Sequence, residues 1–176
     1  APVTLRKGIE ALIDQEIKNA KNGKESRIVA KMNSLVDPRI IQLLYLASQS
    51  GVKIQLIIRG MCCLYPNKKG ISENISVISI IGRYLEHSRI FWFYNNNDPK
   101  IFIGSADLMR RNLDRRVEAV TPIEEPSLKK RIENILEIYL NDNANSWQMQ
   151  SDGKFTRRKN KLNKTCAQSQ LMNCIS

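Results

Sequence analysis

The stretch 27-RIVAKMNSLVDPRIIQLLYLASQSGVKIQLIIRG-60 decides the fold. Arg27–Met32 is a short apolar run and reads as a buried strand. Asp37-Pro38 opens a helix: the Asp side chain accepts from free N–H groups of the first turn, and proline fits the position whose N–H has no partner. Ile40, Ile41, Leu44 and Ala47 recur at helical spacing, and Gly51 stops the helix. Val52–Ile58 is a second strand. Strand, helix and strand joined by short loops form a crossover unit, so the two strands are parallel. Ligands of such units gather at the carboxyl ends of the strands. Lys31–Ser34 closes the first strand and Arg59-Gly60 the second. A charged residue ending a wholly apolar strand singles out Arg59, because charges near a core are rarely kept without a partner.

Outward from this unit, Thr4–Asn22 is an amphipathic helix with Leu5, Ile9, Leu12, Ile13 and Ile17 on one face. Thr4 is a candidate N-cap, Gly23 a stop, and the Lys and Glu residues fall mainly on the solvent side. In the other direction, Met61–Gly70 is a loop and Ile75–Ile81 a third strand. Ile90–Tyr94 and Ile101–Ile103 read as adjacent strands joined by the turn Asn95–Lys100. Val117–Thr121 is expected as a last core strand and Glu125–Asn141 as a last helix. Trp147 lies near a short extended segment, and Asp152-Gly153 makes a turn. The expected architecture is α/β, a mixed central sheet flanked by helices.

The segment Ile80–Arg116 holds the chain's only histidine, His87, and a dense group of arginines: Arg83, Arg89, Arg110, Arg111, Arg115 and Arg116. Histidine can carry a phosphoryl group or move a proton near neutral pH. Arginine grips phosphate through a flat fork of donors. Strand ends carrying Arg59 and His87 therefore point to phosphate handling. An ordinary hydrogen-bonded histidine and a solvated arginine surface would give the same spacing.

Six of the 28 basic residues and none of the 17 acidic ones lie from Lys154 onward, so the net charge of +11 divides into +5 on the body and +6 on the tail. A moderately basic body suits polyanionic ligands. The tail is polar and without periodicity, and residues 156–176 are expected to be disordered. Cys62 and Cys63 are adjacent, Cys166 and Cys174 lie in the tail, and one histidine gives no zinc set, so a reduced, cytoplasmic chain without a metal site is expected. No run approaches the ~20 apolar residues of a membrane span. The chain starts without Met and almost directly in a helix, as a piece of a longer protein would, or a chain whose Met has been removed.

Five segments carry a resemblance: KMNSLVDP at Lys31–Pro38, IIRGMCCL at Ile57–Leu64, ISENISV at Ile71–Val77, IIGRYLEHSRIFWF at Ile80–Phe93 and IGSADLMRRNLDRRVE at Ile103–Glu118. Together they resemble the last catalytic domain of bacterial polyphosphate kinase, over residues 1–155, with no counterpart for the tail. The resemblance implies a phospholipase D-like fold, in which two related domains each give half of a His-x-Lys site. Here His87 is kept, Arg89 stands where phospholipase D has Lys, Tyr94 stands at the position of its Asp, and Gly104-Ser105 resembles its Gly-Ser step.

The implied reaction is reversible transfer of the ATP γ-phosphoryl group to polyphosphate, with Mg²⁺ accompanying ATP. The phosphohistidine of the family lies in a preceding domain. His87 matches the second, catalytic histidine that contacts nucleotide phosphates, and Arg59 matches an ATP-binding arginine. Arg83, Arg89 and Arg110 follow by position as candidate polyphosphate contacts. The implied partners are ATP or ADP, polyphosphate and the upstream domains of the same enzyme, assembled as a homo-oligomer, with peripheral membrane contact and no nucleic acid. The competing readings are a homodimeric phospholipase D-like nuclease or nucleic-acid-binding domain, and a non-catalytic polyanion-binding fragment.

Overall fold

The computed structural model describes residues 4–158 and 164–173. In chain order the elements are α1 (Leu5–Lys21), β1 (Arg27–Met32), α2 (Pro38–Gln49), β2 (Lys53–Ile58), β3 (Ile75–Ile80), β4 (Arg89–Phe93), β5 (Lys100–Gly104), α3 (Arg110–Asp114), β6 (Val120–Ile123), α4 (Pro126–Leu140), β7 (Ser146–Met149), β8 (Phe155–Arg157) and α5 (Ala167–Asn173). The strands form one sheet in the order β6-β5-β4-β1-β2-β3-β7-β8. β1, β2 and β3 run parallel, and every pairing outside them is antiparallel.

Both faces of the central strands are covered, which is why these strands read as continuous apolar runs rather than alternating ones. Ile28, Ala30 and Met32 of β1, Ile54, Leu56 and Ile58 of β2, and Phe91 and Phe93 of β4 pack with Ile9 and Ile13 of α1 and Ile40 and Leu44 of α2. The opposite side chains, Val29, Ile57, Ile78, Ile90 and Trp92, pack with Leu136 and Tyr139 of α4 and Ala167 of α5. Asp37 caps α2 as expected, accepting from Ile40 N at 3.0 Å. Glu125 likewise accepts from Leu128 N at 2.8 Å. The β4–β5 turn is built from Asn95, Asn96 and Asn97, all at positive φ (47°, 54° and 67°), a region asparagine enters more readily than most residues. Among the described residues no helix is long and apolar enough to cross a membrane.

Four expectations are corrected. The last core strand is a short edge strand, β6, while Val117 is 89% exposed. Pro122 explains this, since a residue without an N–H is tolerated at a sheet edge but not inside a ladder. Thr4 makes no side-chain cap; its own backbone is already near-helical. α1 turns two of its acids inward: Glu16 is fully buried and accepts from Arg27 N at 3.1 Å and Asn95 N at 2.6 Å, fixing two loop ends. The tail is not unstructured where it is described. β8 extends the sheet, and α5 buries Ala167 completely against the α4 face. Its periodicity is too short to see in sequence because only one turn meets the core. Cys174 lies outside the described residues.

Candidate active site

Strand direction gathers four segments at one end of the sheet. β1 and β2 finish together, Met32 opposite Ile58. β4 runs against β1 and so begins here; β5 runs against β4 and so ends here, Arg89 opposite Gly104. Gly104 lies directly against the backbone of Ala119 and Val120, and a β-carbon there would collide with main-chain atoms that cannot move aside.

Asp107 is the node of this end. Its buried carboxylate accepts from Asn33 N at 2.7 Å and Ser34 N at 3.3 Å, which fixes the turn after β1. It also takes the Arg89 fork, from Nε at 3.2 Å and Nη2 at 3.1 Å. The third nitrogen of that guanidinium, Nη1, donates to the His87 carbonyl at 2.8 Å and lies 2.9 Å from its Nδ1 and 3.3 Å from its Nε2. A guanidinium only donates, so whichever ring nitrogen takes this bond is its acceptor. His87 itself is exposed.

Under this surface lies a second, closed cluster. Lys31, 1% exposed, pairs with Glu86 at 3.2 Å, donates to Ser88 Oγ at 2.8 Å and sits 4.8 Å from the Tyr139 ring centroid. Burial pushes the ammonium pKa down; Glu86 opposes this, and the nearby charges of Arg59 and Arg89 add to it. The Tyr139 phenol is pushed above its ordinary range by burial and by its hydrogen bond to Glu86. A third carboxylate, Glu118, is 6% exposed and accepts from Ser105 Oγ and Asn112 Nδ2, with Arg116 Nε at 3.6 Å. Burial pushes its pKa up, but the Ser105 and Asn112 donors outweigh that and hold it below its usual value.

The structure thus brings Arg59 and His87 to the same sheet end. Arg59 is half-buried, directly after β2, with its N–H toward Met32 O at 3.4 Å. Arg89, a candidate polyphosphate contact, spends its fork on Asp107 and His87. Arg83 is exposed and lies over the Tyr84 ring, 5.4 Å from its centroid, and Arg110 is exposed at the start of α3. Among the described residues no hydrogen bond or ion pair ties either to His87 or Arg59. Sequence reasoning missed the roles of Asp107, Glu118, Glu86, Tyr139 and Gln168. A lysine inside the apolar run RIVAKM was the one available sign of the closed cluster. Among the described residues no group of three or more His, Cys, Asp or Glu is arranged to hold a metal ion.

A family model described as polyphosphate kinase C-terminal domain 2 matches residues 1–170, well past the boundary expected at Phe155. The polyphosphate kinase of Prochlorococcus marinus (strain MIT 9313) is 66% identical over 175 residues, which is 98% of this chain and 25% of that protein. The crystal structure of polyphosphate kinase from Porphyromonas gingivalis superposes with a TM-score of 0.94 at 40% identity, over 98% of this chain and 26% of the other. Nuc from Salmonella typhimurium, a phospholipase D family member, superposes with a TM-score of 0.51 at 16% identity, over 80% of this chain and 88% of the other. At that identity the likeness is one of fold, and the fold is phospholipase D-like. The chain spans about a quarter of the length of the curated relatives it matches. The chain belongs to the polyphosphate kinase family, as its C-terminal domain 2.

Proposed function

We propose that this sheet end is one wall of a phosphoryl-transfer site for the reversible reaction ATP + polyphosphate(n) = ADP + polyphosphate(n+1). The observation that carries the reading is His87, exposed and held from behind by an Arg89 fork anchored on Asp107, with Arg59 at the end of the next strand but one. Phosphoryl transfer needs positioned positive charge and in-line geometry more than covalent help. Arg59 would hold nucleotide phosphate oxygens through two donors. The exposed imidazole of His87 would give or take a proton as oxygen charge develops. Mg²⁺ belongs to the nucleotide substrate, because this ion binds through phosphates and waters and needs few protein ligands. The phosphate-accepting histidine would come from the upstream part of the enzyme. Apolar residues exposed around this end support a covering domain: Leu85 (74%), Ile81 (63%) and Met61 (60%).

The test is ATP formation from ADP, Mg²⁺ and long-chain polyphosphate by the full-length enzyme. His87→Ala should lower turnover by about 10²- to 10⁴-fold, the usual worth of a positioned acid–base group. Arg59→Ala should raise the KM for ADP about tenfold or more, with Arg59→Lys a partial rescue, as loss of a charge-assisted pair implies. Unchanged turnover in His87→Ala would make that residue structural and overturn the reading.

A further inference from the structure

The tail meets the site through one side chain. Gln168 stands in the first turn of α5 and is 6% exposed. Its Oε1 accepts from Tyr84 N at 3.0 Å, and its Nε2 donates to Tyr84 O at 2.8 Å and to Glu86 Oε1 at 2.7 Å. The amide thus satisfies both backbone groups of one residue, as a neighbouring strand would, and reaches the carboxylate that pairs with Lys31. All three bonds fall within three residues of His87, in a segment that has no helix or strand of its own.

The anchor at the other end of this connection is also buried and polar. Asp142, fully buried, accepts from Ala167 N at 2.8 Å and from Asn145 N at 2.8 Å. Asn143 Oδ1 accepts from Thr165 N at 2.8 Å. The start of α5 is therefore pinned to the end of α4. Gly82 completes the fit: a β-carbon there would stand 2.5 Å from Gln168 Oε1.

We infer that α5 sets the placement of His87, with Gln168 as a positioning residue that acts through Tyr84 and Glu86. The inference rests on His87 being the working group of the site. Without Gln168, Tyr84 loses both backbone partners and Glu86 loses one of its donors, so the segment 82–88 is left to Lys31 and Tyr139 at Glu86 and Ser88 and to Arg89 at the His87 carbonyl, with nothing holding the Tyr84 backbone. Buried groups left unpaired make the segment move rather than stay in place.

His87 is the only histidine of the chain, so its ring Cε1–Hε1 signal in NMR is unambiguous and reports placement without activity. Gln168→Ala should shift and broaden that signal, along with the Tyr84 amide. Ser169→Ala, on the exposed side of the same turn, should leave both unchanged. Gly82→Ala should give a similar shift in the wild-type background, by pushing the Gln168 tip away, and add little in the Gln168→Ala background. Such non-additivity marks direct coupling. A His87 signal unchanged in Gln168→Ala, or shifts that simply add, would overturn the inference. Should Gln168→Ala fail to fold, Gly82→Ala alone decides: a folded variant with unmoved His87 and Tyr84 signals overturns it. Sodium tripolyphosphate added to the wild-type chain tests the phosphate role separately, since a His87 signal indifferent to it counts against that role while the coupling is read from the cycle.

Discussion

The two faces of the segment Glu86–Arg89 behave in opposite ways. Glu86 and the Ser88 hydroxyl turn toward Lys31, Tyr139 and Gln168, where every one of these groups is paired and all but Ser88 are buried. His87 and Arg89 turn the other way, where the imidazole is open and only the guanidinium behind it is tied down. An extended chain alternates sides, so four residues present a lock on one face and an open surface on the other. The choice of cation follows the same division. A lysine is compact enough to be enclosed by a carboxylate, a hydroxyl and a ring. An arginine can grip Asp107 with two nitrogens and still reach His87 with the third.

If the inner face is the lock, breaking it should cost the most stability. Glu86→Ala leaves the Lys31 ammonium buried without its carboxylate, and such a change destabilises by about 3–5 kcal/mol. Urea unfolding of the chain measures it. The double variant Lys31→Met with Glu86→Gln should recover most of that loss, because no charge is then left enclosed. A loss below about 1 kcal/mol in Glu86→Ala would mean that water reaches the cluster and that the lock is not closed.

The outer face should respond in function first. Asp107→Asn removes the charge that the Arg89 fork answers, at about 1.5–3 kcal/mol for a hydrogen bond to a charged group. Turnover of the full-length enzyme should fall about ten- to a hundredfold, with a smaller change in the KM for ADP, since Arg59 is untouched. A change in KM alone would show that Arg89 and Asp107 act on nucleotide binding rather than on His87.

The smallest effect concerns Cys62 and Cys63, which repeat the division between an enclosed and an open neighbour. Burial pushes the Cys62 thiol up to about 11, whereas Cys63 is exposed. Only the thiolate is alkylated, so at pH 8 iodoacetamide should label Cys63 well before Cys62. Equal labelling rates would show that the loop after β2 opens readily.

Much of the fold was legible because it depends on local rules. The apolar runs, the Asp37-Pro38 helix start and the Asn-rich turn each carry their own signal, and the β1–α2–β2 unit follows from their order. Arg59 and His87 could be placed at strand ends from the same reading. What could not be read depends on contacts between distant residues. Asp107 and Arg89 lie 18 positions apart, and nothing local marks that carboxylate as a receiver of backbone donors from Asn33 and Ser34. Gln168 is a polar residue in a basic tail, and its value arises only when Tyr84, more than 80 positions away, lacks a strand partner. Composition described the tail correctly as charged, but charge does not reveal the single buried turn at Ala167.

The two edges of the sheet have a consequence for how the molecule keeps company. On one side β6 is four residues long and offers no N–H at Pro122. On the other, β8 is only three residues long, exposed at each of them, and ends in Arg157. Neither is a good template for a foreign strand, since short, charged or proline-bearing edges discourage edge-to-edge growth. An eight-stranded sheet with apolar strands at its centre is thereby guarded against fibrous stacking. A larger assembly built from this domain would then form through its ends and helices, which leaves the sheet end carrying Arg59 and His87 as a surface for ordered neighbours.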